Sequence, residues 1–137
     1  MKSGKNIIKI FKKKKITFKK KITLKDILFF SKLVNDKHKL HKDKKFSEKK
    51  NFKNIVCQGL FLSSLCSSLV FKFFGNNSII IKQNFAYHRP TYLNETVEIF
   101  SNVYLLDKRF YIYEIKIFIK VKKIIKSETF FAVVYRT

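Results

Sequence analysis

Asp36 and His41 stand five positions apart in the polar stretch Val34-Asn35-Asp36-Lys37-His38-Lys39-Leu40-His41. A carboxylate and an imidazole can hold one water between them and pass its proton in either direction. On a continuous helix, at about 100° per residue, the two side chains would point about 140° apart, so they can cooperate only from a loop. Eighteen residues after His41 comes Gly59, which opens the long apolar run from Gly59 to Phe74.

The elements around these residues follow from local patterning. Short β-branched groups, Ile7-Ile8, Ile16-Thr17-Phe18 and Ile22-Thr23, predict a ragged first strand after a basic, mobile arm over residues 1–14. Thr23 and Asp26 have capping spacing, and Ile27, Leu28, Phe30, Ser31 and Val34 recur at helical spacing, predicting a short helix that ends near Val34. From Asn35 to Asn54 the apolar residues thin to Leu40, Phe46 and Phe52, which predicts a loop with one helical turn around Asp43 to Lys49.

Cys57 to Phe74 is apolar nearly all round, as in a helix enclosed by its fold, and Gly75-Asn76-Asn77-Ser78 stops it. Gly59, Ser63 and Ser67 recur every fourth residue and make a stripe of small side chains on it. Beyond Ser78 come strands over Ile79 to Phe85, Thr96 to Leu106, Phe110 to Lys122 and Thr129 to Tyr135. His88-Arg89-Pro90 breaks the first of them, and Asp107-Lys108-Arg109 and Lys126-Ser127-Glu128 read as hairpin turns. In the third, Tyr113, Ile115, Ile117, Ile119 and Val121 alternate with a mixed face. These patterns predict one α+β domain over residues 1–137, a curled antiparallel sheet wrapped around one central helix.

The formal net charge is +22, and the excess is nearly all Lys, with Arg only at 89, 109 and 136. Lys accompanies abundant Ile, Asn and Phe, all with A/T-rich codons, so base composition accounts for the charge. No RNA-binding or zinc-finger motif accompanies it, and no nucleic-acid partner is expected. Cys57 and Cys66 read as buried thiols in a reducing compartment. Lys9 and Lys12 interrupt any secretory apolar stretch, and Ser63, Ser64, Ser67 and Ser68 interrupt the longest apolar run, so no membrane span is expected. These features imply a soluble cytoplasmic protein, with an organelle matrix as the alternative should the basic start be a targeting segment.

Phe30 to His41, followed after five residues by Ser47, resembles the signature of the MaoC-like or hydratase-2 dehydratases of the hotdog fold. That signature reads Asp, any residue, Asn, Pro, an aliphatic, His, five residues, then a small residue. Cys57-Gln58-Gly59-Leu60 resembles the family's His-Gly-Met opening of the central helix. Phe85 through Pro90 to Asn94-Glu95-Thr96-Val97 is similar to its later phrase, Phe, Pro, then Gly-Asp-Thr. The chain keeps Asp36, Leu40, His41, Ser47, Gly59 and Ser67. It departs at Asn35 for Gly, His38 for Asn, Lys39 for Pro and Gln58 for His.

The resemblance implies an (R)-specific enoyl thioester hydratase, equivalently a 3-hydroxyacyl thioester dehydratase of fatty acid metabolism, acting on acyl-CoA or an acyl carrier protein as a homodimer. Asp36 and His41 would be the catalytic pair, Gly59 N–H the oxyanion donor, and Leu40 and Ser67 substrate-binding positions, with no cofactor. Asp36, His38 and His41 could instead ligate a metal, but the neighbouring lysines oppose a cation and a fourth ligand is not evident, so no metal is expected. A hotdog thioesterase is an alternative, although the family's usual acid on the central helix is missing between Cys57 and Phe74. A non-catalytic binding or partner subunit is another, motivated by His38, Lys39 and Gln58.

Overall fold

The computed structural model describes residues 17–107 and 112–135. The expected basic arm, the Ile7-Ile8 part of the first strand and the Asp107-Lys108-Arg109 turn fall wholly or partly outside them. Among the described residues five antiparallel strands form one open sheet: β1 (Thr17–Lys21), β2 (Ser78–Tyr87), β3 (Thr96–Asp107), β4 (Ile112–Val121) and β5 (Ile124–Tyr135), in the order β1-β3-β4-β5-β2. Helix α1 (Leu24–Val34) follows β1, then a 3-10 turn (Lys39–His41), the short α2 (Lys44–Lys49) and the long α3 (Gly59–Phe74).

The strand alternation read in the sequence orients β4. Tyr113, Ile115, Ile117, Ile119 and Val121 are buried against the helix side, each gaining roughly 1.5–3 kcal/mol from burial of a large apolar side chain. Leu62, Cys66, Leu69, Val70, Phe73 and Phe74 of α3 meet them in one core with Phe131 and Val133 of β5. By length and mean hydropathy alone, 1.2 over an 18-residue window, Gly59–Asn77 would suffice to cross a membrane. In this fold it is the core helix.

Two expectations change. Helix α3 is not enclosed all round: Leu60 and Phe71 are 61% and 57% exposed, and Ser64, Ser67 and Ser68 lie on the same open side. The β4–β5 hairpin turns at Lys122-Lys123 and not at Lys126-Ser127-Glu128, which lie within β5. Both lysines have positive φ, 47° and 68°, the backbone of a two-residue hairpin turn whose twist matches the flanking strands. Lysine is a poor marker for such a turn, whereas the polar triplet looks like one.

Between α2 and α3 the chain is pinned to the stretch after β2. Val56 bridges Tyr92, Cys57 N–H donates to Thr91 O at 2.8 Å, and Leu93 N–H donates to Ile55 O at 2.9 Å. This pairing delivers the chain to the start of α3 from one fixed direction.

Candidate active site

Helix α1 aims the loop. Thr23 caps it, its hydroxyl accepting from Asp26 N–H at 3.2 Å, and Asn35 ends it in the left-handed region at φ 57°. Asp36 N–H then donates back to Ser31 O at 2.9 Å, so the residue after the helix is itself part of the terminal cap. Asn35 stands where the resembled signature has Gly. Asn is among the few side chains that tolerate this backbone, and the same exchange recurs at Asn94, φ 68°.

The loop then closes on itself. Asp36 Oδ1 accepts from His38 N–H at 3.0 Å, and His38 Nδ1 accepts from Leu40 N–H at 3.1 Å, capping the 3-10 turn. An imidazole Nδ1 thus does what a signature Asn oxygen is suited to do. Lys39 is the first residue of that turn, where Pro is favoured because the N–H there has no partner within the helix. Leu40 O accepts from Ser47 Oγ at 3.1 Å and from Val56 N–H at 2.9 Å. Ser47 is fully buried, which explains a small hydroxyl residue at that spacing.

His41 is fixed through its ring. Nδ1 lies 2.6 Å from Val56 O, and because a carbonyl only accepts, Nδ1 carries the proton. The other ring nitrogen, Nε2, lies 3.6 Å from Asp36 Oδ2. That separation exceeds hydrogen-bond length, leaving both groups able to bond a shared water. The side chains are 14% and 39% exposed, so the pair is half-sheltered and open on the Asp36 side.

The other candidate element is the start of α3. Gly59 is its first residue, so its N–H has no acceptor within the helix, and it sits at the positive end of the helix dipole. A Cβ on Gly59 would lie 2.6 and 2.7 Å from two ring atoms of Tyr87. The Tyr87 hydroxyl lies 2.8 Å from Ser63 Oγ, one turn along α3. The small-residue stripe is therefore the seat of a phenol, whose own pKa burial raises. The aromatic over Gly59 is Tyr87, while Phe85, two residues earlier, packs edge-on against Phe131. The stripe of Gly59 and Ser63 was legible in the sequence but its occupant Tyr87 was not, and the aromatic three residues before Pro90 is the signal that could have found it.

Gln58 ties the start of α3 to α1. It is buried, and Nε2 donates to Ile27 O at 2.9 Å and to Ser31 Oγ at 2.7 Å, while Oε1 has no partner among the described residues. Ser31 therefore receives Asp36 N–H on its carbonyl and Gln58 on its hydroxyl. This strut sets the start of α3 against the end of α1.

The structure brings Asp36 and His41 together, and His41 to Val56 just ahead of Gly59. Leu40 enters through its backbone, and Ser67 lies on the open side of α3 with its hydroxyl on Ser64 O at 2.9 Å. Burial pushes the Cys57 and Cys66 thiols up to about 12, so neither is a thiolate nucleophile at neutral pH. Among the described residues, no three His, Cys, Asp or Glu gather as metal ligands would.

The profile of the MaoC-like domain matches residues 8–105. This chain belongs to the MaoC-like domain family. No curated protein matches the sequence. Among solved structures, the (R)-hydratase from A. caviae involved in PHA biosynthesis superposes with TM-score 0.84 at 22% identity, over 90% of this chain and 95% of that one. R-hydratase PhaJ1 from Pseudomonas aeruginosa, unliganded, gives 0.80 at 16% identity, over 89% and 79%. The C-terminally truncated HadBC complex from Mycobacterium tuberculosis, a 3R-hydroxyacyl-ACP dehydratase, gives 0.74 at 12% identity, over 88% and 96%. At these identities the likeness shows a shared hotdog fold.

Proposed function

We propose that this MaoC-like chain hydrates trans-2-enoyl thioesters to (R)-3-hydroxyacyl thioesters, and runs the dehydration in reverse. The single observation that carries the reading is the ring of His41, locked by Val56 O so that Nε2 faces Asp36 Oδ2. Asp36 orients a water and takes its proton as the oxygen bonds to C3. The other water proton stays on the new C3 hydroxyl, the electrons of the C2–C3 double bond move toward the thioester oxygen, and C2 then receives the proton that Asp36 took, relayed through His41 Nε2. Gly59 N–H and the α3 dipole stabilise the charge that develops on that oxygen, a donor role worth on the order of 3 kcal/mol of barrier.

The departures His38, Lys39 and Gln58, which favour a non-catalytic subunit, are each accommodated by the frame of the site. His38 caps the turn, Lys39 occupies a position that needs no N–H partner, and Gln58 ties α1 to α3. A thioesterase reading lacks an acid on α3, whose residues from Gly59 to Phe74 include neither Asp nor Glu.

The dimer is part of the proposal. β2 is an edge strand carrying Ile79 and Ile81, 67% and 53% exposed, and α3 lies next to it through the Tyr87–Ser63 contact. A second copy on this surface would cover Leu60 and Phe71 and place Ser67 at the acyl end of the pocket. Crotonyl-CoA tests the activity: loss of the enoyl absorbance supports hydration, release of free thiol supports a thioesterase, and neither supports a binding subunit.

A further inference from the structure

Helix α1 is apolar on two sides. Ile27 is fully buried, Phe30 meets the Phe61 ring at 5.4 Å, and Ser31 receives Gln58. That side belongs to the fold. On the opposite side Phe29 is 68% exposed and Leu33 69%, one turn apart, with Leu28 at 42% beside them. The exposed Lys25 and Lys32 share this outward side. A helix face meant only for water would be polar, and large apolar side chains this exposed mark a contact surface.

The charge around it has one sign. Asp26, the acid of α1, is held by Lys20 Nζ at 3.0 Å. In the loop beyond, Asp36 accepts from His38 N–H and Asp43 from Phe46 N–H, whereas Lys37, Lys39 and Lys42 stay exposed. The complement of such a face is acidic with apolar residues among its charges. The loop that bears Asp36 follows directly from α1, with Asp36 N–H bonded to Ser31 O at the end of that helix.

We propose that the outward face of α1, Phe29 and Leu33 with Lys25 and Lys32, docks an acidic helical carrier protein that presents the acyl group as a phosphopantetheine thioester. The inference rests on the hydration reading and chooses the carrier over coenzyme A. Coenzyme A needs cations for its phosphates but gives no account of an exposed Phe29–Leu33 pair, whereas an amphipathic acidic helix uses both.

The test compares crotonyl-CoA with crotonyl-loaded acyl carrier protein, using wild type, Phe29→Ser/Leu33→Ser and Lys25→Glu/Lys32→Glu. All four positions are exposed, so folding should survive. Each double variant should lower kcat/KM for the carrier substrate about tenfold or more. The value for crotonyl-CoA should stay within about twofold, and wild-type turnover of the carrier substrate should weaken with salt. Equal losses on both substrates, or none on either, overturn the docking surface. If wild type turns over neither substrate, the hydration reading fails. Binding of unloaded carrier, measured by calorimetry on the same variants, then decides docking alone: loss in both double variants upholds it, and no binding to wild type overturns it. Binding instead to phosphatidylglycerol vesicles through Phe29 and Leu33, without carrier binding, would replace the carrier by a membrane surface.

Discussion

The loop that bears Asp36 and His41 is held by short-range caps with Val56 as its more distant anchor, 15 positions from His41, whereas the start of α3 is held by residues 24 to 31 positions away. In the loop, Asp36 and His38 cap bonds two residues ahead, and Ser47 reaches back seven to Leu40 O. At α3, Tyr87 arrives from the far end of β2 and Gln58 reaches across to α1. A wall built from local bonds tolerates exchanges that keep an acceptor or a backbone angle. A wall built from distant contacts is a packing problem, so its changes are coupled.

Stability measurements by denaturant unfolding can break or sharpen that contrast. Gly59→Ala drives a Cβ into the Tyr87 ring and should cost about 1–3 kcal/mol. In a Tyr87→Ala background the same change should cost less than about 1 kcal/mol, and an undiminished cost would remove the ring from the account. Gln58→Ala abandons Ile27 O and Ser31 Oγ and should cost about 1–3 kcal/mol, with Ser31→Ala losing less.

On the loop side the effects shrink and should add. Asn35→Ala should cost about 1 kcal/mol, since Ala pays the left-handed penalty that Asn softens, while Asn35→Gly should be nearly neutral. Lys39→Pro should stabilise by about 0.4–1 kcal/mol. His38, at φ −61° and ψ 128°, already has the extended backbone that a following Pro requires. A loss of stability there would show that the loop needs the Lys39 N–H.

The same contrast explains what could be read from the sequence. Helix α1, its Thr23 cap, the inward face of β4 and the Asp36–His41 loop follow from spacing and local caps, and these were legible. Tyr87 over Gly59 was not, because a contact between a strand end and a helix start leaves no local period. The Lys122-Lys123 turn was hidden because its residues adopt positive φ without being Gly or Asn. The open side of α3 was missed because an apolar helix surface looks the same whether this chain or another covers it.

The central claim is that Asp36 and His41 act on one water as a unit, and a kinetic double-mutant cycle on enoyl-thioester hydration tests it most directly. Asp36→Asn and His41→Ala should each lower kcat/KM by about 10²–10⁴, and the double variant should fall little further than the worse single. Full activity in either single variant, or losses that multiply in the double, would contradict it.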